Sequence, residues 1–220
     1  MKVASTVAGT FLFVSALSLA QTATPIRWAE GAPDATSEVK NETKIEGLKA
    51  GDVHIFVSLA EVKETEYNRV WIQLANHGNA PLGFDPQTAI LLNGDKVVKA
   101  EVPDKAAKSI QKVGEAKSQE LSSAHCAMMM TGQQKTGTSA CQPTDTQVQM
   151  GKQIAQFSAQ QAQWVRDNGL TQKEIAPGQE AQGAIVFRKD KKAADYVLRI
   201  PVGSQVLEFP LSAQNKAPSY

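Results

Sequence analysis

The sequence predicts a mainly β protein, a sandwich of about seven strands interrupted by an inserted α-helical hairpin. Three observations predict it. Apolar residues recur at every second position in two blocks, 45–102 and 172–212, and that period belongs to strands with one buried face. Turn pairs such as Asn93-Gly94 and Pro177-Gly178 punctuate those blocks, as hairpins require. Between them, residues 103–171 lose their β-branched character and become rich in Ala, Gln and Lys, residue types that favour helix.

Taken in order, the chain opens with a pattern for export. Lys2 precedes the apolar stretch Val3–Leu19, and Ser18-Leu19-Ala20 offers small residues where a signal peptidase reads. The expectation is a signal peptide over 1–20, cut after Ala20, and a mature chain starting at Gln21 that works in the periplasm or outside the cell. An uncleaved anchor is the rival reading, since the stretch approaches the length of a membrane span. No cysteine follows the cut for lipid attachment, and no second long apolar run occurs, so no span is expected in the mature chain. Residues 21–44 read as an extended lead-in, with Ile26 and Trp28 as anchors; Trp28 has a second reading, as an exposed stacking platform.

The first β block begins with a short strand at Ile45–Leu48. In Val53–Leu59 the residues Val53, Ile55, Val57 and Leu59 share one face, and in Arg69–Ala75 Val70, Ile72 and Leu74 do. The stretch Asn76-His77-Gly78-Asn79-Ala80-Pro81 breaks that strand with residues that tolerate turn geometry. Ile90–Leu92 and Val97-Val98 then form a hairpin about Asn93-Gly94. From Asp104, a plausible N-cap, a helix is expected over Lys105–Ala124, with Ile110, Val113 and Leu121 as a thin apolar stripe and Gly114 as a weak point. A loop over His125–Gln142 separates it from a second helix, Gln147–Asp167, which Thr144 and Gln147 cap and Asn168-Gly169 ends. Met150, Ile154, Phe157, Trp164 and Val165 approximate its apolar face. The β pattern resumes near Ile175 and supplies Gly183–Phe187, Tyr196–Ile200 and Gln205–Phe209, with a turn at Pro201–Ser204. Residues 213–220 are left as a C-terminal tail.

The pattern Asn76-x-Gly78-x-x-Pro81-x-x-Phe84-Asp85-Pro86, with Pro177-Gly178 followed by Gly183 and Phe187, resembles bacterial exported immunoglobulin-like sandwich proteins of uncharacterised function. The likeness covers residues 50–102 and 172–211 and passes over the helical insert. It implies an immunoglobulin-like fold and brings no catalytic residues.

Composition excludes some functions. With 23 basic and 22 acidic residues the formal net charge is +1, so no nucleic-acid partner is expected, because phosphate binding needs clustered cations in excess. In an oxidising compartment Cys126 and Cys141, the two cysteines present, read as a disulfide. Closing a loop of about 15 residues stabilises by roughly 3 kcal/mol in the chain-entropy model. The run His125-Cys126-Ala127-Met128-Met129-Met130 combines imidazole, thiol and thioether, the donors soft Cu(I) prefers. His125, Met128, Met129 and Met130 are therefore candidate metal ligands; adaptable packing is the plainer role for a methionine run. Lys105, Lys108 and Lys112 recur at helical spacing and make a candidate partner-binding strip toward an anionic polymer, or else a solvated face. Glu61, Glu64 and Glu66 could hold Ca²⁺ or serve as solvated charge. His54 and His77 are isolated in sequence, and no nucleophile elbow, HExxH, P-loop or dinucleotide fingerprint occurs. The expectation is a non-enzymatic exported binding or structural protein without a cofactor. Its partner would be a protein or an envelope polymer, met through the helical insert; periplasmic copper binding is the alternative.

Overall fold

Among the described residues ten strands form one curled sheet in the order β1-β12-β11-β7-β8-β10-β5-β4-β3-β2. The computed structural model describes residues 24–40, 43–61, 65–131, 144–189 and 195–212, with side chains of the first helix described through Leu121. The strands are β1 (Ile26–Arg27), β2 (Ala35–Lys40), β3 (Thr43–Ala50), β4 (Val53–Glu61), β5 (Tyr67–Asn76), β6 (Leu82–Gly83), β7 (Ile90–Asn93), β8 (Lys96–Glu101), β9 (Glu174–Ile175), β10 (Glu180–Arg188), β11 (Asp195–Val202) and β12 (Gln205–Ser212). The helices α1 (Pro103–Thr131) and α2 (Asp145–Asn168) lie between β8 and β9, and β6 pairs with β9 in a separate two-stranded ladder.

The alternating segments place their apolar faces inward as expected. Val53, Ile55 and Val57 of β4 and Val70, Ile72 and Leu74 of β5 share one buried cluster with Leu91, Leu198, Ile200, Leu207 and Phe209 from the other half of the sheet. The curl comes at β8. Its body pairs with β7, while Ala100 and Glu101 pair with Phe187 and Val186 of β10. One short strand thus turns the corner between two halves that share a common core, an arrangement that buries the inner face of each half.

The extended lead-in is drawn into the sheet itself. Residues 26–27 pair in parallel with Leu207–Glu208 of β12, and 35–40 pair antiparallel with Thr43–Leu48 of β3, so this segment supplies both outermost strands of the order. Its patterning conceals this, since β2 is exposed along almost its whole length. Trp28 is buried and Ile26 is exposed, so the anchor is the tryptophan alone. The Trp28 amide donates to the Glu208 carbonyl at 2.8 Å, and its Nε1 donates to the Thr36 carbonyl at 3.0 Å. One residue therefore ties the β12 end of the sheet to the β2 end. That burial excludes the stacking-platform reading.

Turn chemistry follows the glycines with small shifts. Asn93 pairs with Lys96, so the tight connection is Gly94-Asp95, with Gly94 at φ 55°. Pro201 and Val202 belong to β11 and pair with Val206 and Gln205, which moves that turn to Gly203-Ser204.

In the insert, α2 begins with the capping box read from the sequence: Thr144 and Gln147 satisfy each other's backbone. Helix α1 runs further than expected and includes His125–Met130, so that stretch has a helical backbone instead of a loop. Its side chains, and the whole of Cys141, lie outside the described residues, as do residues 1–20 and 213–220 and Glu64; the disulfide, the copper ligands, the signal peptide and the Ca²⁺ cluster fall there wholly or in part.

Among the described residues the two helices meet the sheet at their roots, where Ala106, Ala107, Ile110, Ala162 and Val165 form a second cluster with Tyr67 and Val186. Farther along, among the described side chains, the buried positions of either helix are Gly114 and Gly151. A Cβ on Gly114 would fall on the Oγ and Cβ of Ser158, and one on Gly151 would come within 3.0 Å of Ser118 Oγ. The thin apolar stripes are therefore matched by a close backbone approach, and Gly114 is a packing device. Propensity alone predicts that Gly114→Ala gains up to about 1 kcal/mol. The collision predicts the reverse, a loss of about 1–3 kcal/mol, relieved in the double variant Gly114→Ala with Ser158→Gly. Thermal denaturation of both variants beside the unaltered protein decides the sign.

Candidate functional site

The outer face of β5 is where the helices and sheet meet, and its odd-numbered residues build that junction. Tyr67, Arg69 and Trp71 alternate with the core-facing Val70, Ile72 and Leu74. Arg69 is 6% exposed. Its Nη2 donates to Gln161 Oε1 at 2.5 Å, and its guanidinium carbon stands 4.3 Å from the Trp164 ring centre. Trp164 in turn tilts at 49° against Trp71, ring centres 6.4 Å apart. Burial pushes the Arg69 guanidinium below its usual range. An amide and an indole face hold this planar cation, a combination a lysine would not replace. Its role is to seat α2 on the sheet.

Beside this root an apolar cleft of about 480 Å³ opens between the helices. Ile110 and Val113 line it from α1, Ile154 and Phe157 from α2, and Thr65–Tyr67 close it below, with Lys117 also on its wall. The volume lies within the range of small ligand sites. Met150, also lining it, is 48% exposed, and of the described sheet residues Tyr67 alone lines the cleft. The helical stripes seen in the sequence thus face one another only in part.

On the far side of the α1 root lies a second concavity, about 470 Å³, lined by Lys96, Lys99, Glu101, Lys105, Arg188 and Lys189 with Val97, Val98 and Ala100. Tyr67 marks the boundary between the two. It lines the apolar cleft, and its hydroxyl lies 3.3 Å from Glu101 Oε2. Arg188 is held above the usual arginine range, first by its hydrogen bond to Tyr67 and then by the charge of Glu101. Of the lysines singled out in sequence, Lys105 enters this groove; Lys108 and Lys112 are exposed farther along α1. Lys96, Lys99, Arg188 and Lys189 escape sequence reading because they sit on β8 and the end of β10, far from the helix in the chain. The register Phe187↔Ala100 is what brings them together.

Elsewhere, two carboxylates are drawn into ion pairs near the Trp28 latch. Glu208 bridges Arg27 (2.7 Å) and Arg199 (2.6 Å). Glu46, 2% exposed, pairs with Lys44 at 2.7 Å, and burial raises its pKa despite that partner. His54 and His77, separate in sequence, are brought to 4.2 Å between ring centres. Burial, then the neighbouring charges of His77 and Lys49, push His54 below its usual value. Among the described residues no three His, Cys, Asp or Glu side chains gather as a metal site would require, and no helix is long and apolar enough to cross a membrane.

No family model, no curated protein and no solved structure matches this chain.

Proposed function

We propose that this chain is a non-enzymatic exported binding protein of the cell envelope or extracellular space, in which an immunoglobulin-like β framework carries a helical hairpin that captures a macromolecular partner. The observation that carries the reading is the apolar cleft between α1 and α2, framed by half-buried Val113, Ile154 and Phe157 and exposed Met150. Two antiparallel helices with an open apolar seam present the surface that a third, amphipathic helix completes, as in helix-in-groove recognition. The partner is therefore read as one that offers such a segment. Two half-sheets around a common core support the immunoglobulin-like part, and the basic n-region with its apolar stretch and Ser18-Leu19-Ala20 supports export.

Excising the whole insert would not test this cleanly, because the helix roots cover Tyr67 and Val186. Charge placed in the cleft does. Ile154→Glu and Phe157→Glu leave the roots intact and should abolish retention of a partner that the unaltered protein pulls from an envelope extract. The partner, once identified and purified, should bind the unaltered protein and lose binding when the apolar face of its own helix is made polar. Retention unchanged by both cleft substitutions overturns the reading. N-terminal sequencing of protein released from cells, beginning at Gln21, tests export.

A further inference from the structure

We infer that the basic groove between α1 and β8 is a binding site for an acidic polysaccharide, separate from the cleft and independent of what occupies it. Five cationic side chains, Lys96, Lys99, Lys105, Arg188 and Lys189, share the groove with a single carboxylate, Glu101. They come from three parts of the chain that the fold alone brings together, in a protein whose overall balance is only +1. A local excess of this kind concentrates counter-ions on one face. The groove also adjoins the first turn of α1, where the helix dipole adds partial positive charge, opposed there by Asp104. Lys108 and Lys112, exposed along the same helix, extend the cationic surface beyond the groove, which suits a linear polyanion better than a small anion.

The lining selects among polyanions. Four of the five cations are lysines, compact point charges without the planar fork that reads phosphate two oxygens at a time. The apolar lining is Val97, Val98 and Ala100, with Val97 52% exposed. Among the described residues no aromatic face lines the groove on which a base could stack, and stacking is how single-stranded nucleic acids are held. Aliphatic walls between spaced ammonium groups fit the carboxylates and ring faces of an acidic glycan.

The test uses the mature protein, polygalacturonate as the probe, and a single-stranded oligodeoxythymidylate of matched charge as the competitor class. Binding is followed by isothermal calorimetry at rising salt. The expected result is saturable binding of polygalacturonate that weakens steadily with salt, with the double variant Lys99→Glu, Lys105→Glu weaker by about tenfold or more. Both lysines are exposed, and circular dichroism of the variant confirms an unchanged fold. A cleft variant, Phe157→Glu, should bind the polymer as the unaltered protein does, so failure of this site and failure of the helical cleft are read separately. Tighter binding of the oligodeoxythymidylate would overturn the glycan class. Absence of polygalacturonate binding at low salt, or binding indifferent to the double reversal, would overturn the site.

Discussion

Replacing Trp28 with alanine is expected to lower the stability of the whole sheet by about 3–5 kcal/mol, the usual cost of deleting a buried large aromatic. That is a large share of the roughly 5–15 kcal/mol a domain possesses. The loss should not be confined to the lead-in. Trp28 follows β1 directly and is bonded through its amide to β12 and through its indole to β2, so its removal loosens β1 and β2, the two ends of the strand order, at once. Lys44, whose Nζ lies 4.7 Å from the indole centre, would lose that face while remaining paired to Glu46. Trp28→Phe separates the contributions. It keeps most of the apolar burial and leaves the Thr36 carbonyl without its donor, for a loss of about 1–2 kcal/mol. Hydrogen exchange provides the sharper reading: in Trp28→Ala the amides of β2 and of Trp28's neighbours should lose protection together. If β2 stays protected and stability falls by less than about 1 kcal/mol, the lead-in is a passive tail and the two ends are held by something else.

Why this latch is hard to foresee follows from the kind of signal each element leaves. Strands β4 and β5 each bury one face, so Val53, Ile55, Val57 and Val70, Ile72, Leu74 announce both the strand and its inward side. Helix α2 is legible because Thr144 and Gln147 form a capping box and Gly169 stops it. Strand β2 buries neither face; its six residues are held through backbone hydrogen bonds to β3, and backbone pairing writes no pattern in side chains. The far end of helix α1 is missed because Ala127 and Met128–Met130, good helix formers, adjoin the Gly-, Ser- and Thr-rich stretch 131–142, and the whole run then reads as one loop. Gly114 reads as weakness because propensity is a one-body quantity, whereas its reason is Ser158 on the neighbouring helix. The same limit applies to the sites. A spacing of three and four residues reveals Lys105, Lys108 and Lys112 on one helix, but the groove depends on Lys99, Arg188 and Lys189, which only strand register can place beside Lys105. Arg69 and Trp164 likewise meet across the interface of elements nearly a hundred residues apart.

Asn76 carries the second large effect. As a turn residue it would be replaceable, and Asn76→Asp, which exchanges an amide nitrogen for an oxygen, would cost almost nothing. In the folded chain it is 3% exposed and joins three segments. Its Nδ2 donates to the carbonyls of Ala80 and Ile175, each at 2.9 Å, while its Oδ1 accepts from the Gly78 amide at 3.0 Å. Its own carbonyl accepts from Gly178 at 2.8 Å. Asn76→Ala therefore orphans the buried Ile175 carbonyl and should cost about 2–3 kcal/mol, independent of pH. Asn76→Asp should behave differently. A carboxylate would face two carbonyl oxygens where an amide donated, and burial and repulsion both raise its folded pKa above the unfolded value of about 3.9. For an acid shifted in that direction, the penalty is small below about pH 4, where the protonated carboxyl can still donate one bond. It grows as pH rises toward the folded pKa, by up to about 1.4 kcal/mol per unit, and then levels. Stability of the aspartate variant relative to the unaltered protein should thus fall steadily from about pH 4 toward neutrality, whereas the alanine variant's deficit stays flat. Urea denaturation of both across that range discriminates the two roles, because a residue needed only for its turn geometry would give two flat, shallow profiles.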